Sequence, residues 1–430
     1  MRIPDIEQQP LEHQHAYQAT QLQQMLVYLA AHSPFYQKQF AQHGVVLSDI
    51  RSVKDLERLP TTDKQDLQLH NWDFLCVPRS EIREYTATSG TMGSPVTIAL
   101  TEKDLQRLAY NEHISFECAG GREGDIYQLM LTLDRQFMAG MAYYAGIKAL
   151  KAAAVRTGPG LPAMQWDTIK RLGSNTVVAV PSFLLKLIEH AGIYNIPLPQ
   201  MPVKKAVCIG ENLRGEDFAL NALGQKIKEH WNIDLYSTYA STEMQTAFTE
   251  CWKGEGGHHH PELIIVEVLD DAGRQLPAGQ YGEVTITSLG VEGMPLLRYR
   301  TGDICAYYEE PCACGRKTVR LSPVKGRKQQ MIKYKGTTLY PPALFDLLNE
   351  SKVVKEYVVE VYTSEMGTDE LLLHIHTHLP VDDCEKVLKP FLQSRIRVVP
   401  HIQYVSGAEI LTMQFPENSR KAVKFIDRRK

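Results

Sequence analysis

Small hydroxyl side chains and glycine crowd into one short stretch, Tyr85-Thr-Ala-Thr-Ser-Gly-Thr-Met-Gly-Ser-Pro95, directly ahead of the apolar run Val96-Thr-Ile-Ala-Leu100. Such a loop can turn several backbone N–H groups and hydroxyls toward one anion. Gly90 and Gly93 permit the close approach and the unusual φ values this needs. It is not a Walker A loop, because GxxxxGK(S/T) is absent. Taken alone, it reads equally well as an anion cradle or as a plain turn. A second constellation is made of soft ligands. Cys251 and His258 stand in CWKGEGGH, and Cys312 and Cys314 form a close pair in PCACGR. Three thiolates and one imidazole make a closed tetrahedral set suited to structural zinc. His259 and His260 are alternative ligands. Cys76, Cys118, Cys208, Cys305 and Cys384 stand in apolar or helical contexts and read as packing residues.

The elements that must position these groups follow from the apolar pattern. The chain has 430 residues, 43% hydrophobic and 23% charged, with a formal net charge of −3. That length predicts two or three domains, and the balance excludes the basic stripe of a nucleic-acid binder. No apolar run reaches the roughly 18 residues that cross a bilayer. The polar start is no secretory signal. Eight irregularly spaced cysteines point to reduced thiols in a cytoplasmic protein rather than to a disulfide scaffold. LQQMLVYLAAH and SPFYQKQF read as helices, the second opened by Pro34. From about residue 85 to 300, short apolar runs such as IYQLMLTL, NTVVAV and KKAVCIG alternate with the helical stretches MAYYAGIKALKAAA and FLLKLIEHAG. This alternation predicts βα units and a largely parallel sheet. ELIIVEVLD, GEVTITSL and ICAYYEE make residues 245–325 β-rich. Beyond KGRKQQ the pattern predicts a hairpin in EYVVEVYTSEMGTDELLLHIHTH, a helix in VDDCEKVLKPFLQSRI and a strand in HIQYVSGAEI, hence a small α+β domain.

Three more segments follow the hydroxyl-rich loop in order: Tyr239-Ala-Ser-Thr-Glu243, Tyr299-Arg-Thr-Gly-Asp303 and Gly326-Arg327. Together the four resemble the core motifs of the adenylate-forming superfamily of acyl-CoA synthetases, luciferases and peptide-synthetase adenylation domains. The nearest resemblance is to its phenylacetate–CoA ligase-like branch, and it extends over nearly the whole chain. It implies an α/β fold with mixed and parallel sheets flanked by helices and a β-rich subdomain. That large domain would span residues 1–328, followed by a small mobile α+β lid over 329–430.

The resemblance also implies roles. Ser89, Gly90, Thr91 and Gly93 would cradle the β- and γ-phosphates of ATP. Glu243 would hold Mg²⁺, a hard cation that prefers oxygen. Tyr239 would lie against the adenine, in the motif that continues through Ala240, Ser241 and Thr242. Its other reading is a core tyrosine. Gly210 and Glu211, in CIGEN, match a loop beside the adenine. Asp303 would accept from both ribose hydroxyls, and Arg327 would reach the ribose or phosphates at the domain junction. Lys421, in SRKAVKFIDRRK, falls at the catalytic lysine, with Lys424 as a rival. Its ammonium would stabilise the charge that builds on phosphorus. Phe137 and Ala240 would shape the acyl pocket and make an aryl or arylacetic acid the expected substrate. Phe137 and Phe183 read equally well as core residues.

The implied activity is ATP-dependent ligation of a carboxylic acid, such as phenylacetate, to coenzyme A through acyl-AMP. The partners are then the acid, ATP and CoA, with neither nucleic acid nor membrane. The oligomeric state is not legible, a homodimer being one option. This chain departs from the branch at Met92, Ser94, Ala240, Gln329, Gln330 and Arg420. Ser94 removes a positive charge usually found near the pyrophosphate. Rival readings are an adenylating enzyme with a carrier-protein, amine or cofactor acceptor, a non-catalytic nucleotide-binding relative, and a zinc-stabilised interaction module.

Overall fold

Leu22, Met25, Leu26 and Leu29 recur at helical spacing, and all four are buried along α1 (Leu11–His32). Ser33 then caps α2 (Pro34–Gln42), its side chain accepting from the Tyr36 N–H, with proline at the first helical position. The computed structural model describes residues 3–88, 95–364, 367–416 and 422–429. It divides into two units, Met1–Ala219 with Ile227–Pro323, and Leu220–Lys226 with Val324–Lys430. The expected boundary lies at 328/329. The second unit takes in a short earlier segment because Asn221 donates to the Asp346 carboxylate (2.9 Å) and the Lys226 ammonium bonds the Asn349 carbonyl.

In the first unit, α3 (Lys64–His70) leads to the antiparallel pair β1 (Ile82–Ala87) and β2 (Thr97–Thr101). These strands flank the hydroxyl-rich loop. Its base is pinned by Thr88, whose N–H donates to the Val96 carbonyl and whose hydroxyl accepts from the Val96 N–H, both at 3.0 Å. The main sheet follows. Its strands are β3 (Ile126–Leu129), β4 (Ala153–Arg156), β5 (Thr176–Ala179), β6 (Lys205–Ile209), β7 (Asp234–Ser241), β8 (Thr246–Glu250) and β9 (Gly257–His258). β13 (Tyr307–Tyr308) and β14 (Arg320–Leu321) complete it, in the order β13-β14-β9-β8-β7-β6-β5-β3-β4. β4, β3, β5, β6 and β7 run parallel, and every pairing from β7 outward is antiparallel. The connections carry α4 (Glu102–Cys118), α5 (Met138–Ala149), α6 (Pro162–Leu172) and α7 (Pro181–Ile193). α8 (Ala222–His230) links β6 to β7.

The β-rich stretch is not a separate body. Part of it extends the main sheet. The rest, β10 (Ile264–Leu269), β11 (Gly282–Ser288) and β12 (Tyr299–Cys305), pairs antiparallel in that order. β12 carries the Arg-Thr-Gly-Asp motif inside the strand. Between Glu283 and Thr285 the register advances two residues on β11 and four on β12, so Thr301-Gly302-Asp303 bulges out. Gly302 has φ +79°, where a side chain would be strained.

The second unit begins with β15 (Gly326–Arg327) and the hairpin β16 (Ile332–Tyr334) and β17 (Thr337–Leu339). α9 (Pro341–Glu350), the hairpin β18 (Glu356–Thr363) and β19 (Asp369–His376), and α10 (Val381–Ile396) follow. β20 (His401–Tyr404) pairs parallel with β19. The expected strand stops there, because Ser406 and Glu409 form a capping box that starts α11 (Gly407–Gln414). β21 (Phe425–Asp427) closes the order β20-β19-β18-β21. Cys384, Leu388, Leu392 and Ile396 recur every fourth residue on α10 and pack into this core with Val359, Val361, Leu371 and Leu373.

The tightest helix contact in the first unit is α4 against α5. A Cβ on Gly146 would lie 2.3 Å from the Glu112 Cβ and 2.9 Å from its carbonyl carbon. Alanine gains up to ~1 kcal/mol in helix propensity, but that backbone cannot yield without parting the helices, a cost of about 1–3 kcal/mol. Gly146→Ala is therefore expected to lower the thermal midpoint, and a rise in that midpoint would contradict this packing.

Candidate functional site

The parallel strands β4-β3-β5-β6-β7 have a doubly wound order, in which the chain turns outward to β4 and then crosses β3 to continue through β5. In such sheets, ligands sit in the crevice outside the carboxyl ends of the strands. The segments that leave those ends here are Met130–Phe137 after β3, Thr157–Leu161 after β4, Val180–Ser182 after β5, Gly210–Glu211 after β6 and Thr242–Gln245 after β7. Sequence reasoning had picked residues from three of these five.

Around β3, Leu131, Tyr143, Ile147, Val178 and Ile209 form a buried apolar cluster, against which Leu133, Phe137 and Val180 pack half-buried. Phe137 is the N-cap residue of α5, so its backbone is fixed by the helix while its ring adds to this wall. Phe183 is buried in α7. Glu211 is held at the amino end of α7. One carboxylate oxygen accepts from the Ser182 N–H (2.8 Å) and the other from the Ser182 hydroxyl (2.9 Å), the end of a helix where negative charge is favoured. Gly210 precedes it at the carboxyl end of β6.

Tyr239 and Asp303 are 64 residues apart and belong to different sheets, yet the tyrosine hydroxyl donates to Asp303 Oδ2 at 2.8 Å. Burial and the neighbouring Asp303 carboxylate push the Tyr239 phenol well above its usual range, so it remains a donor. The Gly302 bulge presents Asp303, whose own N–H donates to the Thr301 hydroxyl (3.1 Å). β7 then ends at Ser241, whose hydroxyl accepts from the Met244 N–H (3.2 Å) and whose carbonyl accepts from the Gln245 N–H (3.3 Å). This turn carries Ala240 exposed at one end, with Ser241, Thr242 and Glu243 half-buried. Glu243 has no hydrogen-bond or ion-pair partner among the described residues.

Residues 9–293 match the model of the AMP-binding enzyme family. The chain belongs to that family. A phenylacetate–coenzyme A ligase of Thermus thermophilus is 29% identical over 88% of this chain and 85% of its own length. Another, of Aromatoleum evansii, is 28% identical over 76% and 74%. These relatives put the chain in the phenylacetate–CoA ligase-like branch. The same fold is seen in a 2-hydroxyisobutyryl-CoA ligase complexed with an acyl-AMP in its postadenylation state. Its TM-score is 0.86, its identity 24%, and the match covers 99% of this chain and 91% of that one.

Sequence reasoning missed the residue of this AMP-binding enzyme that holds the Glu243 turn. Arg107, buried on α4, gives four of its five side-chain N–H groups to neutral acceptors. Nε donates to the Leu289 carbonyl (2.7 Å), Nη1 to the Gln245 carbonyl (2.7 Å), and Nη2 to the Thr246 hydroxyl (3.0 Å) and the Leu263 carbonyl (2.5 Å). Burial draws its pKa down to about 10, so it stays charged at neutral pH. Asn111, one turn on, accepts from the Ala247 N–H (3.0 Å). Neither residue matches a motif. A charged residue inside the apolar helix pattern of LQRLAY was the one available signal.

The four soft ligands do come together. The ligand atoms of Cys251, His258, Cys312 and Cys314 lie within 4.8 Å of one another. Cys251 Sγ is 3.6 Å from Cys312 Sγ, and Cys314 Sγ is 3.5 Å from His258 Nε2. Tetrahedral zinc with ordinary bond lengths needs about 3.8 Å between sulfurs and about 3.6 Å from sulfur to nitrogen, so the set fits. His258 Nδ1 lies 3.2 Å from the Thr318 hydroxyl, an outer contact that aims Nε2 at the cluster. Arg316 Nη1 approaches Cys314 Sγ at 3.7 Å, while its Nε donates to Glu7 Oε2 at 2.6 Å. The alternative ligands are taken up elsewhere: His260 Nδ1 by Glu7 (2.5 Å) and His259 Nε2 by the Ile264 carbonyl (2.6 Å).

Ser89, Gly90, Thr91, Gly93 and Lys421 lie outside the described residues, as do Met92, Ser94 and Arg420. Arg327 is exposed in the second unit. There the ammonium of Lys424 lies 5.5 Å from the ring centre of Tyr357, so the rival lysine packs within its own unit.

Removing the Arg107 guanidinium would leave the Leu289 and Gln245 carbonyls without a donor, at about 1 kcal/mol or more each, while the Leu263 carbonyl keeps the Leu289 N–H (2.8 Å). Arg107→Met should therefore lose roughly 2 kcal/mol in urea unfolding. A variant as stable as the parent would refute the anchoring role.

Proposed function

We propose that this chain activates an arylacetic acid such as phenylacetate as its acyl-AMP and transfers the acyl group to coenzyme A. Membership of the family and of the phenylacetate–CoA ligase-like branch supports AMP-forming acid–CoA ligase chemistry. The observation that carries the reading within this molecule is the Tyr239–Asp303 pair at the carboxyl edge of the sheet, beside a turn that offers Glu243 without a competing partner.

The Tyr239 ring would lie against the adenine. Asp303 Oδ2 is committed to the tyrosine hydroxyl, which orients the carboxylate toward a ribose diol. Ser89, Gly90, Thr91 and Gly93 would hold the β- and γ-phosphates. Glu243 would hold Mg²⁺, which when bound neutralises phosphate charge. The wall made by Leu131, Leu133, Phe137, Val180 and Ile209 suits a ring rather than a charged tail, and Ala240 would border it. An oxygen of the acid's carboxylate attacks the α-phosphorus, the bond to the β-phosphate bridge breaks, and pyrophosphate leaves with the electron pair. Lys421 would meet the charge that builds there, and Arg327 would reach the ribose or phosphates. The CoA sulfur then attacks the acyl carbon, its proton is lost, and AMP departs.

The Cys251, His258, Cys312 and Cys314 set would hold a structural zinc ion, closed to substrate because all four positions are protein ligands. No described helix is long and apolar enough to cross a membrane, and the reading places the reaction in the cytoplasm.

The deciding assay is pyrophosphate release from MgATP over a panel of aromatic and aliphatic acids, with and without CoA. Release with an arylacetic acid, and thioester only when CoA is added, is expected. Release with no CoA product would move the acceptor to an amine, a carrier protein or a cofactor. No release with any acid would contradict the reading. Elemental analysis of the purified chain should find about one zinc per chain. Cys312→Ser should lose that zinc and Cys76→Ser should keep it, whereas a metal-free native chain would refute the site.

A further inference from the structure

We propose that the amino-terminal 3₁₀ turn, Asp5–Gln8, sets the zinc affinity of the cysteine–histidine site through Glu7, which aims the Arg316 guanidinium at Cys314. The proposal rests on the zinc reading and goes beyond it, because it ties metal binding to a segment that supplies no ligand.

Charge creates the demand. Zinc with three thiolates and a neutral imidazole carries one net negative charge. Cys251, His258 and Cys312 are buried, and a buried charge is costly unless it is paired or hydrogen-bonded. Among the described residues, Arg316 brings a positive charge to the sulfurs, its Nη1 donating to Cys314 Sγ at 3.7 Å. Lys253, two residues past Cys251, pairs instead with the Glu255 carboxylate at 3.2 Å.

Arg316 is itself fully buried, and so is Glu7. The guanidinium therefore needs a fixed acceptor, and Glu7 Oε2 takes its Nε–H at 2.6 Å. Charges then alternate from the thiolates through Arg316 to Glu7. The other oxygen of Glu7 lies 2.5 Å from Nδ1 of His260, two residues past the His258 ligand. One carboxylate thus spans the two segments that carry His258, Cys312 and Cys314.

The backbone repeats the link. The Gly315 N–H donates to the Cys312 carbonyl (3.0 Å), and the Cys312 N–H donates to the Arg316 carbonyl (2.9 Å), which closes the knuckle. The next N–H, of Lys317, donates to the Glu7 carbonyl at 2.8 Å. Gln14 Nε2, in α1, donates to the Lys317 carbonyl (3.3 Å) and to the Gln9 carbonyl (2.8 Å). A group that orients a metal ligand commonly changes the affinity by about 10- to 100-fold. Because coupling is reciprocal, zinc must in turn hold the amino-terminal turn in place.

Full-length Glu7→Gln and Glu12→Gln test this, Glu12 being an exposed carboxylate on α1. Zinc affinity would be measured by competition with a chromophoric chelator. Glu7→Gln is expected to weaken zinc about tenfold or more, and Glu12→Gln to leave it unchanged. The rise in thermal midpoint on adding zinc to the stripped chain should also be smaller in Glu7→Gln. Unchanged zinc affinity in Glu7→Gln, with an equal fall in midpoint with and without zinc, would overturn the proposal and leave Glu7 a structural ion-pair partner only. Equal weakening in both variants would overturn it too. Where Glu7→Gln does not fold, hydrogen exchange on the unaltered chain decides. Stripping zinc should speed exchange of the Glu7, Gln9 and Lys317 N–H groups, and unchanged exchange there would overturn the proposal. A native chain without zinc on elemental analysis would overturn the zinc reading itself.

Discussion

A single buried guanidinium joins the parts of the first unit that have to stay in register. Arg107 leaves α4 and binds the Gln245 carbonyl in the β7–β8 turn, the Leu263 carbonyl before β10 and the Leu289 carbonyl after β11. One side chain therefore fixes a helix, the turn of the main sheet that presents Glu243, and one end of the neighbouring antiparallel pair, where Leu263 and Leu289 lie side by side. No carboxylate accepts from it. The desolvation of a full charge must be offset by neutral dipoles held in place, helped by the charges of Asp104 and Glu262. That demand leaves the turn little freedom, and Glu243, two residues before Gln245, inherits the rigidity.

The second constraint is the bulge in β12. A regular strand would alternate Asp303 with its neighbours across the sheet. The extra residues around Gly302 break that alternation and turn the carboxylate to the Tyr239 hydroxyl on the other sheet. The pairing also explains why a residue suited to a ligand's face can be half-buried. Its hydroxyl is satisfied from within, and its ring is left to pack against whatever enters the crevice.

The soft-ligand cluster is supported from the far end of the chain. Glu7 bridges Arg316 and His260, and Arg316 reaches back to Cys314. Burying Glu7 raises its pKa, but the charges and hydrogen bonds of His260 and Arg316 more than reverse that and hold it below the usual carboxylate range. An amino-terminal 3₁₀ turn thus becomes part of the wall around the Cys251, His258, Cys312 and Cys314 side chains. The knuckle between Cys251 and His258 belongs to the same sheet as Tyr239, so the cluster braces the outer half of that sheet rather than the reaction.

The linear chain by itself determined the alternation of strands and helices, the ordered family motifs and the residue types of the cysteine–histidine cluster. Each is a local pattern: a period of 2 or 3.6, a run of small residues, or a spacing of two cysteines. It misjudged one place where a local rule met a competing one. The strand expected through HIQYVSGAEI ends at Tyr404 and gives way to α11 because a capping box begins at Ser406. Only the tertiary structure decided the partners. Arg107 lies 138 residues from Gln245, and Glu7 lies 309 from Arg316. The use of Arg107 was at most hinted by its place in an apolar helix. Glu7 and Arg316 carry no periodicity or motif at all, because a buried charge is specified by the acceptors or counter-charge that packing brings to it, and those come from distant segments.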